Sequence, residues 1–100
     1  MIDLAPSQLR TVIQILDTYV PSIDVWAFGS RVRKTASEYS DLDIVIVGDD
    51  KIPQKTFYQL KDAFEESDLP IRVDVLDWHR ISTAFKKNIE AQHIKIYPES

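Results

Sequence analysis

Apolar residues recur along this chain with two different periods, and the switches between them mark out its elements. Leu9, Val12, Ile13, Leu16 and Val20 return at helical spacing behind Pro6-Ser7, which predicts an amphipathic helix over residues 8–20 with Ser7 as its N-cap. Pro21-Ser22 ends that pattern. Ile23-Asp24-Val25-Trp26-Ala27-Phe28 is rich in β-branched and aromatic residues, hence a strand, and Gly29 closes it. Residues 30–36 suffice for one or two helical turns, Glu38-Tyr39-Ser40 reads as a loop, and Asp41–Val47 is a second strand stopped by Gly48-Asp49-Asp50. Pro53 suits the first position of a helix running to Ser67, with Phe57, Leu60 and Phe64 on its buried stripe. After the breaker Asp68-Leu69-Pro70, Ile71, Val73 and Val75 share one face of a third strand, Ile71–Leu76. A last helix from Ser82 to Gln92 and a short strand at Ile94-Lys95-Ile96-Tyr97 complete the order. No repeat or linker interrupts it. The expected fold is α+β (mixed α/β): a single domain over residues 1–100, with a mixed sheet and helices packed against it.

Composition narrows the chemistry. Hydrophobic residues make up 44% of the 100 and charged residues 28%, which favours a folded core over disorder. The absence of cysteine excludes a disulfide scaffold, a thiolate zinc site and a cysteine nucleophile. The opening MIDLAPSQLR lacks the basic region and apolar run of a signal peptide. No apolar stretch approaches the roughly 18 residues needed to span a bilayer, so a cytoplasmic protein without membrane association is expected. A net charge of −4 gives the surface as a whole no attraction for nucleic acid, and direct nucleic-acid binding is not expected.

Charge is unevenly placed. Arg31, Arg33 and Lys34 follow Gly29-Ser30 directly, while Asp41, Asp43, Asp49 and Asp50 crowd the next segment. Asp41 and Asp43 flank Leu42 at a strand start, so both carboxylates emerge on one face with Cα atoms roughly 6–7 Å apart. Such a pair repels unless a cation lies between, and its oxygens suit a hard ion such as Mg²⁺. Asp-x-Asp by itself fits solvent-exposed aspartates equally well. Gly29, one of only two glycines, sits where a strand turns into the basic segment and lets backbone N–H groups approach a phosphate. Ser30 adds a hydroxyl, and the basic residues offer charge to a triphosphate tail, although a helical turn cannot aim all three at it. Asp74 alternates with the apolar Val73 and Val75. It joins the acidic pair if its strand lies beside Asp41–Val47; otherwise it is an edge aspartate paired with Arg72 or a lysine.

Gly29-Ser30, ten residues, then Asp41-Leu42-Asp43 resembles the G-S-x10-D-x-D signature of the DNA polymerase β-like nucleotidyltransferase superfamily. More narrowly, Val25-Trp26-Ala27-Phe28-Gly29-Ser30-Arg31-Val32, Tyr39-Ser40-Asp41-Leu42-Asp43 and the Leu69–Trp78 stretch resemble the minimal nucleotidyltransferases of prokaryotes. These are often encoded beside a HEPN-domain protein. The resemblance covers nearly the whole chain. It implies that Gly29 and Ser30 hold the β- and γ-phosphates, with Arg31 and Arg33 nearby. It also implies that Asp41 and Asp43 ligate two Mg²⁺ ions and that Asp74 completes the site near the attacking hydroxyl. The implied reaction is in-line attack on the α-phosphate with release of pyrophosphate. ATP is the implied donor and a tyrosine of a HEPN toxin the implied acceptor, which would make the chain that toxin's antitoxin. Two other readings stay open: a module that neutralises its partner by association alone, or transfer to a small-molecule hydroxyl. The extra helical lobe of larger relatives is missing, which suits a partner completing the site.

The remaining candidates read as structural. Trp26 and Phe28 share a strand face and suit core packing. Trp78 could cap the sheet or meet a partner. His79 and His93 lack metal spacing and read as surface residues, Asp77 has weaker strand context than Asp74, and no tyrosine has a distinctive setting.

Overall fold

The computed structural model describes residues 2–33 and 40–98. Helix α1 spans Pro6–Tyr19, followed by strand β1 (Asp24–Phe28), the one-turn helix α2 (Ser30–Arg33) and strand β2 (Leu42–Val47). Helix α3 (Gln54–Glu66) leads to strand β3 (Val73–Asp77), a 3₁₀ turn at Trp78–Arg80, helix α4 (Thr83–Ala91) and strand β4 (Ile94–Tyr97). The strands form one sheet in the order β3-β2-β1-β4. β1 pairs antiparallel with both β2 and β4, whereas β2 and β3 run parallel. Parallel neighbours require a crossover, and α3 supplies it.

The expected α+β architecture is the one observed, and the element ends differ by a residue or two. Ala5, not Ser7, caps α1, because Pro6 takes the first helical position, where its missing N–H costs nothing. The Gln8 side chain accepts the Ala5 N–H at 3.3 Å. Pro53 caps α3 from just outside it, and Ser82 caps α4 by accepting the Phe85 N–H at 3.1 Å. β2 starts at Leu42 rather than Asp41, and β3 starts at Val73 rather than Ile71. The segment 34–39, which includes Lys34, Glu38 and Tyr39, lies outside the described residues.

Alternation along the strands sorts side chains to two faces. Val25, Ala27, Leu42, Ile44, Ile46 and Val75 bury against Val12 and Leu16 of α1 and Leu60 and Phe64 of α3. Leu42, Ile44 and Ile46 are wholly excluded from solvent, and burial of each contributes about 1.5–3 kcal/mol. The opposite face carries Trp26, Phe28, Asp43, Val45, Asp74 and Leu76, and α4 covers part of it through an edge-on contact of Phe85 with Phe28. Trp26 stacks on His93 and meets Trp78 edge-on. This layer makes Val45 as buried as the main core, so β2 is sealed on both sides over much of its length. Its Asp43 end stays open.

Tyr97 ties the last strand back to the first helix. Its hydroxyl donates to Asp17 and accepts the N–H of Ser22, a residue at φ 65° in the turn after α1.

Candidate active site

The parallel pairing of β2 and β3 places Asp43 directly beside Asp74. Antiparallel pairing places Asp43 opposite Phe28, the residue before Gly29. Three elements therefore meet at one carboxylate. Gly29 has φ +80°, a conformation that costs glycine nothing. A Cβ at Gly29 would lie 2.5 Å from Asp43 Oδ2, so the missing side chain is what lets the carboxylate lie against the turn. The Gly29 carbonyl accepts the N–H groups of Val32 and Arg33, both at 3.1 Å, which starts α2.

Asp43 titrates above the ordinary aspartate range. Partial burial is the main cause, the Asp74 and Asp41 carboxylates add to it, and Arg33 acts in the opposite direction. The site thus concentrates negative charge beyond what its own cation offsets. Asp41 sits exposed one residue ahead of β2, near enough for its charge to be felt at Asp43. Asp74 pairs with Arg72, Nε to Oδ1 at 3.1 Å. The pairing expected for an isolated edge aspartate and the acidic cluster are therefore both present. Carboxylate oxygens under mutual repulsion are a donor set that fits a hard divalent cation. Among the described residues, no three His, Cys, Asp or Glu side chains stand close enough to form a complete cage by themselves.

The family model "Polymerase beta, Nucleotidyltransferase" matches residues 10–100. The chain belongs to the polymerase β nucleotidyltransferase family. A curated relative, "Probable protein adenylyltransferase MntA" of Haemophilus influenzae, is 43% identical over 95 residues, which is 95% of this chain and 83% of that protein. Among solved structures, a chain described as a toxin–antitoxin with AMP-PNP superimposes with TM-score 0.75 at 22% identity, covering 92% of this chain and 74% of the other. A second comes from a tri-AMPylated Shewanella oneidensis HEPN toxin in complex with MNT antitoxin. It gives 0.68 at 20% identity over 93% and 71%. These structures carry the same fold.

Two clefts meet at Asp43. The smaller, about 410 Å³, is lined by Gly29, Arg33, Phe28, Phe85 and Asn88 and reaches Asp43. The larger, about 870 Å³, holds Asp43 and Asp74 and extends past Arg72 to Phe64 and Glu65 of α3. Arg33 lines the smaller cleft beside Gly29.

Arg31 does not. Only 5% of its surface is exposed, and its guanidinium donates to the Ser40 carbonyl through Nε (3.1 Å) and Nη2 (2.9 Å) and to the Asp3 carbonyl through Nη1 (2.9 Å). The Asp3 N–H donates back to the Arg31 carbonyl at 2.8 Å. A phosphate role expected from the charge cluster gives way to a clamp on the residue just before Asp41. An aliphatic stem cannot replace a planar fork that serves two carbonyls. Arg31→Met should therefore lose about 2–4 kcal/mol of stability in urea denaturation, the sum of several charge-assisted bonds.

Asp77 is also excluded from the acidic site. It is 2% exposed and on the α3 side of the sheet, where it accepts the N–H groups of Ile52 and His79 and an ion pair from Arg80. The histidines are half-buried, not surface groups. His79 Nε2–H donates to the Gly48 carbonyl at 2.6 Å, and His93 Nδ1–H to the Ile89 carbonyl at 3.0 Å. Sequence reasoning missed Phe85 and Asn88, since nothing in a helix pattern reveals which turn overhangs a cleft.

Proposed function

We propose that this chain transfers AMP from ATP to a tyrosine hydroxyl of a HEPN-domain toxin and thereby acts as its antitoxin. The observation that carries the reading is the Asp43–Asp74 register beside a glycine turn that has no room for a side chain. The 43% identity to a probable protein adenylyltransferase and the toxin–antitoxin setting of the solved structures support adenylyl transfer and this class of partner. A cytoplasmic setting, where ATP is at hand, suits the reading.

In this proposal Gly29, which lines the smaller cleft, and Ser30 next to it in sequence receive the β- and γ-phosphates, and Arg33 adds charge to the triphosphate. Asp41, Asp43 and Asp74 would hold Mg²⁺, with two ions expected when nucleotide is present. Bound there, Mg²⁺ would neutralise charge on the phosphate oxygens. Asp74, once released from Arg72, accepts the proton of the attacking hydroxyl. Phe28 and Phe85 form the apolar wall that the two clefts share.

The test incubates the chain with ATP labelled at the α-phosphate, Mg²⁺ and a purified HEPN-domain partner, and compares wild type with the Asp41→Ala/Asp43→Ala double variant. Label on the partner that disappears with the variant is the expected result. Equal neutralisation of the toxin by both proteins with no label would replace transfer by simple association. Label that persists when every partner tyrosine is phenylalanine would move the acceptor elsewhere.

A further inference from the structure

Helix α4 contributes polar groups to the smaller cleft that the reading above leaves without a use. Ile89 is 1% exposed, and its burial fixes the rotation of the helix about its axis. Phe85 and Asn88 within the helix and Gln92 at its C-cap then fall on one face, at spacings of three and four residues. That face lines the cleft together with Gly29 and Arg33. Among the described residues, the Asn88 and Gln92 carboxamides make no hydrogen bond within the protein.

Their position along the cleft is informative. Phe28, Asp43 and Phe85 line both clefts, whereas Gly29, Arg33, Asn88 and Gln92 line only the smaller. In-line displacement sends the leaving group away on the side opposite the entering hydroxyl. With the β- and γ-phosphates over the glycine turn, the leaving half of the nucleotide lies where the carboxamides stand. A flat base would instead seek the shared Phe28–Phe85 wall, since bases stack on aromatic rings.

Charge points the same way. Arg33 is the one cation among the described residues that line this cleft, which is little for a polyanion. A further lysine or arginine would compete for the acidic groups, as Arg72 does at Asp74. A carboxamide offers two N–H donors to phosphate oxygens and has no charge with which to capture a carboxylate.

We propose that Asn88 and Gln92 donate hydrogen bonds to the β- and γ-phosphates, so that α4 completes the triphosphate site and holds pyrophosphate until it departs. This rests on the transferase reading above and adds the groups that grip the leaving half of the nucleotide.

The experiment measures, with Mg²⁺ present, binding of a non-hydrolysable ATP analogue and of AMP to the full chain. It also measures inhibition of labelled transfer by pyrophosphate and the KM for ATP with a HEPN-domain partner. Asn88→Ala, Asn88→Asp and Gln92→Ala are compared with Glu90→Gln, an exposed α4 position outside both clefts. Alanine favours a helix, so the alanine variants should melt no lower than wild type. Each is expected to weaken analogue binding and pyrophosphate inhibition by about 10-fold. KM for ATP should rise in proportion, with kcat within about threefold. Asn88→Asp, equal in size but repelled by phosphate, should lose about 100-fold. AMP binding should match wild type throughout, as should Glu90→Gln in every assay. Unchanged analogue binding in both alanine variants, or in Asn88→Asp, overturns the inference and leaves the transferase reading standing. An equal loss of AMP binding overturns it too, because the carboxamides would then hold the nucleoside. A wild-type chain that neither binds the analogue nor labels the partner removes both readings.

Discussion

Asp43→Asn should cut transfer by at least about 10²–10³-fold while raising the melting temperature of the nucleotide-free protein. The two effects have one cause. Asp43 is held partly out of water against two other carboxylates, so its proton affinity in the folded state is above the unfolded value. An acid of this kind costs stability when ionised. The cost is fully present above the folded pKa, shrinks as pH falls through it, and is gone below the ordinary aspartate value of 3.8. Asparagine fits the same space without the charge. The gain at neutral pH is small, because a half-buried carboxylate remains partly screened by solvent. Melting curves of wild type and variant should therefore lie furthest apart near neutrality and converge on acidification. Mg²⁺ with ATP should reverse the order by stabilising wild type only. A variant that melts below wild type at neutral pH would contradict the charge argument, and one that keeps transfer activity would remove Asp43 from the chemistry.

Gly29→Ala should behave oppositely in stability and alike in activity. The backbone at φ +80° costs an L-residue about 1–2 kcal/mol, and the new methyl would stand 2.5 Å from Asp43 Oδ2. Asp43 cannot move along its strand, because Ile44 and Leu42 on either side are locked in the core. Its carboxylate must rotate away instead, which carries it off the line between Gly29 and Asp74. Transfer should fall by about 10²-fold, since a 1 Å misplacement of a catalytic group is that costly. Gly48→Ala is the informative comparison. A Cβ there meets Asp50 O at 3.3 Å without a positive φ, so a small relaxation accommodates it. If Gly29→Ala retained wild-type activity, the close approach would have no functional meaning. If Gly48→Ala lost as much, general loop damage would explain both.

Together the substitutions separate charge from shape. Asparagine removes the charge and keeps the geometry, whereas alanine at position 29 keeps the charge and moves it. Loss of activity in both, with melting shifts of opposite sign, is the pattern that the Asp43 environment dictates.

Much of this site was readable from residue order because its logic is local. Gly29-Ser30 at a strand end and Asp-x-Asp at the head of another are short-range patterns, and the hydrophobic periods place them on their elements. Ser82 as a cap of α4 and Leu60 and Phe64 on the buried stripe of α3 are equally local. Arg31 was misread for the same reason. Adjacent positions on one helical turn point in different directions, so Arg33 reaches the cleft while Arg31 turns inward to carbonyls 9 and 28 residues away in sequence. The partner of Tyr97 is 80 residues distant, which no neighbouring pattern encodes.

By itself, the sequence determined the order of helices and strands, the glycine turn, the acidic pair and the candidate third aspartate, because period, propensity and turn chemistry act over a few residues. Tertiary structure alone decided that β3 lies parallel beside β2 with Asp74 at the level of Asp43. It also decided that Asp77 belongs to the other face and that α4 overhangs the smaller cleft. Strand pairing is a long-range choice, set by which apolar faces can be buried together. The charge crowding at Asp43 exists only once that choice has been made.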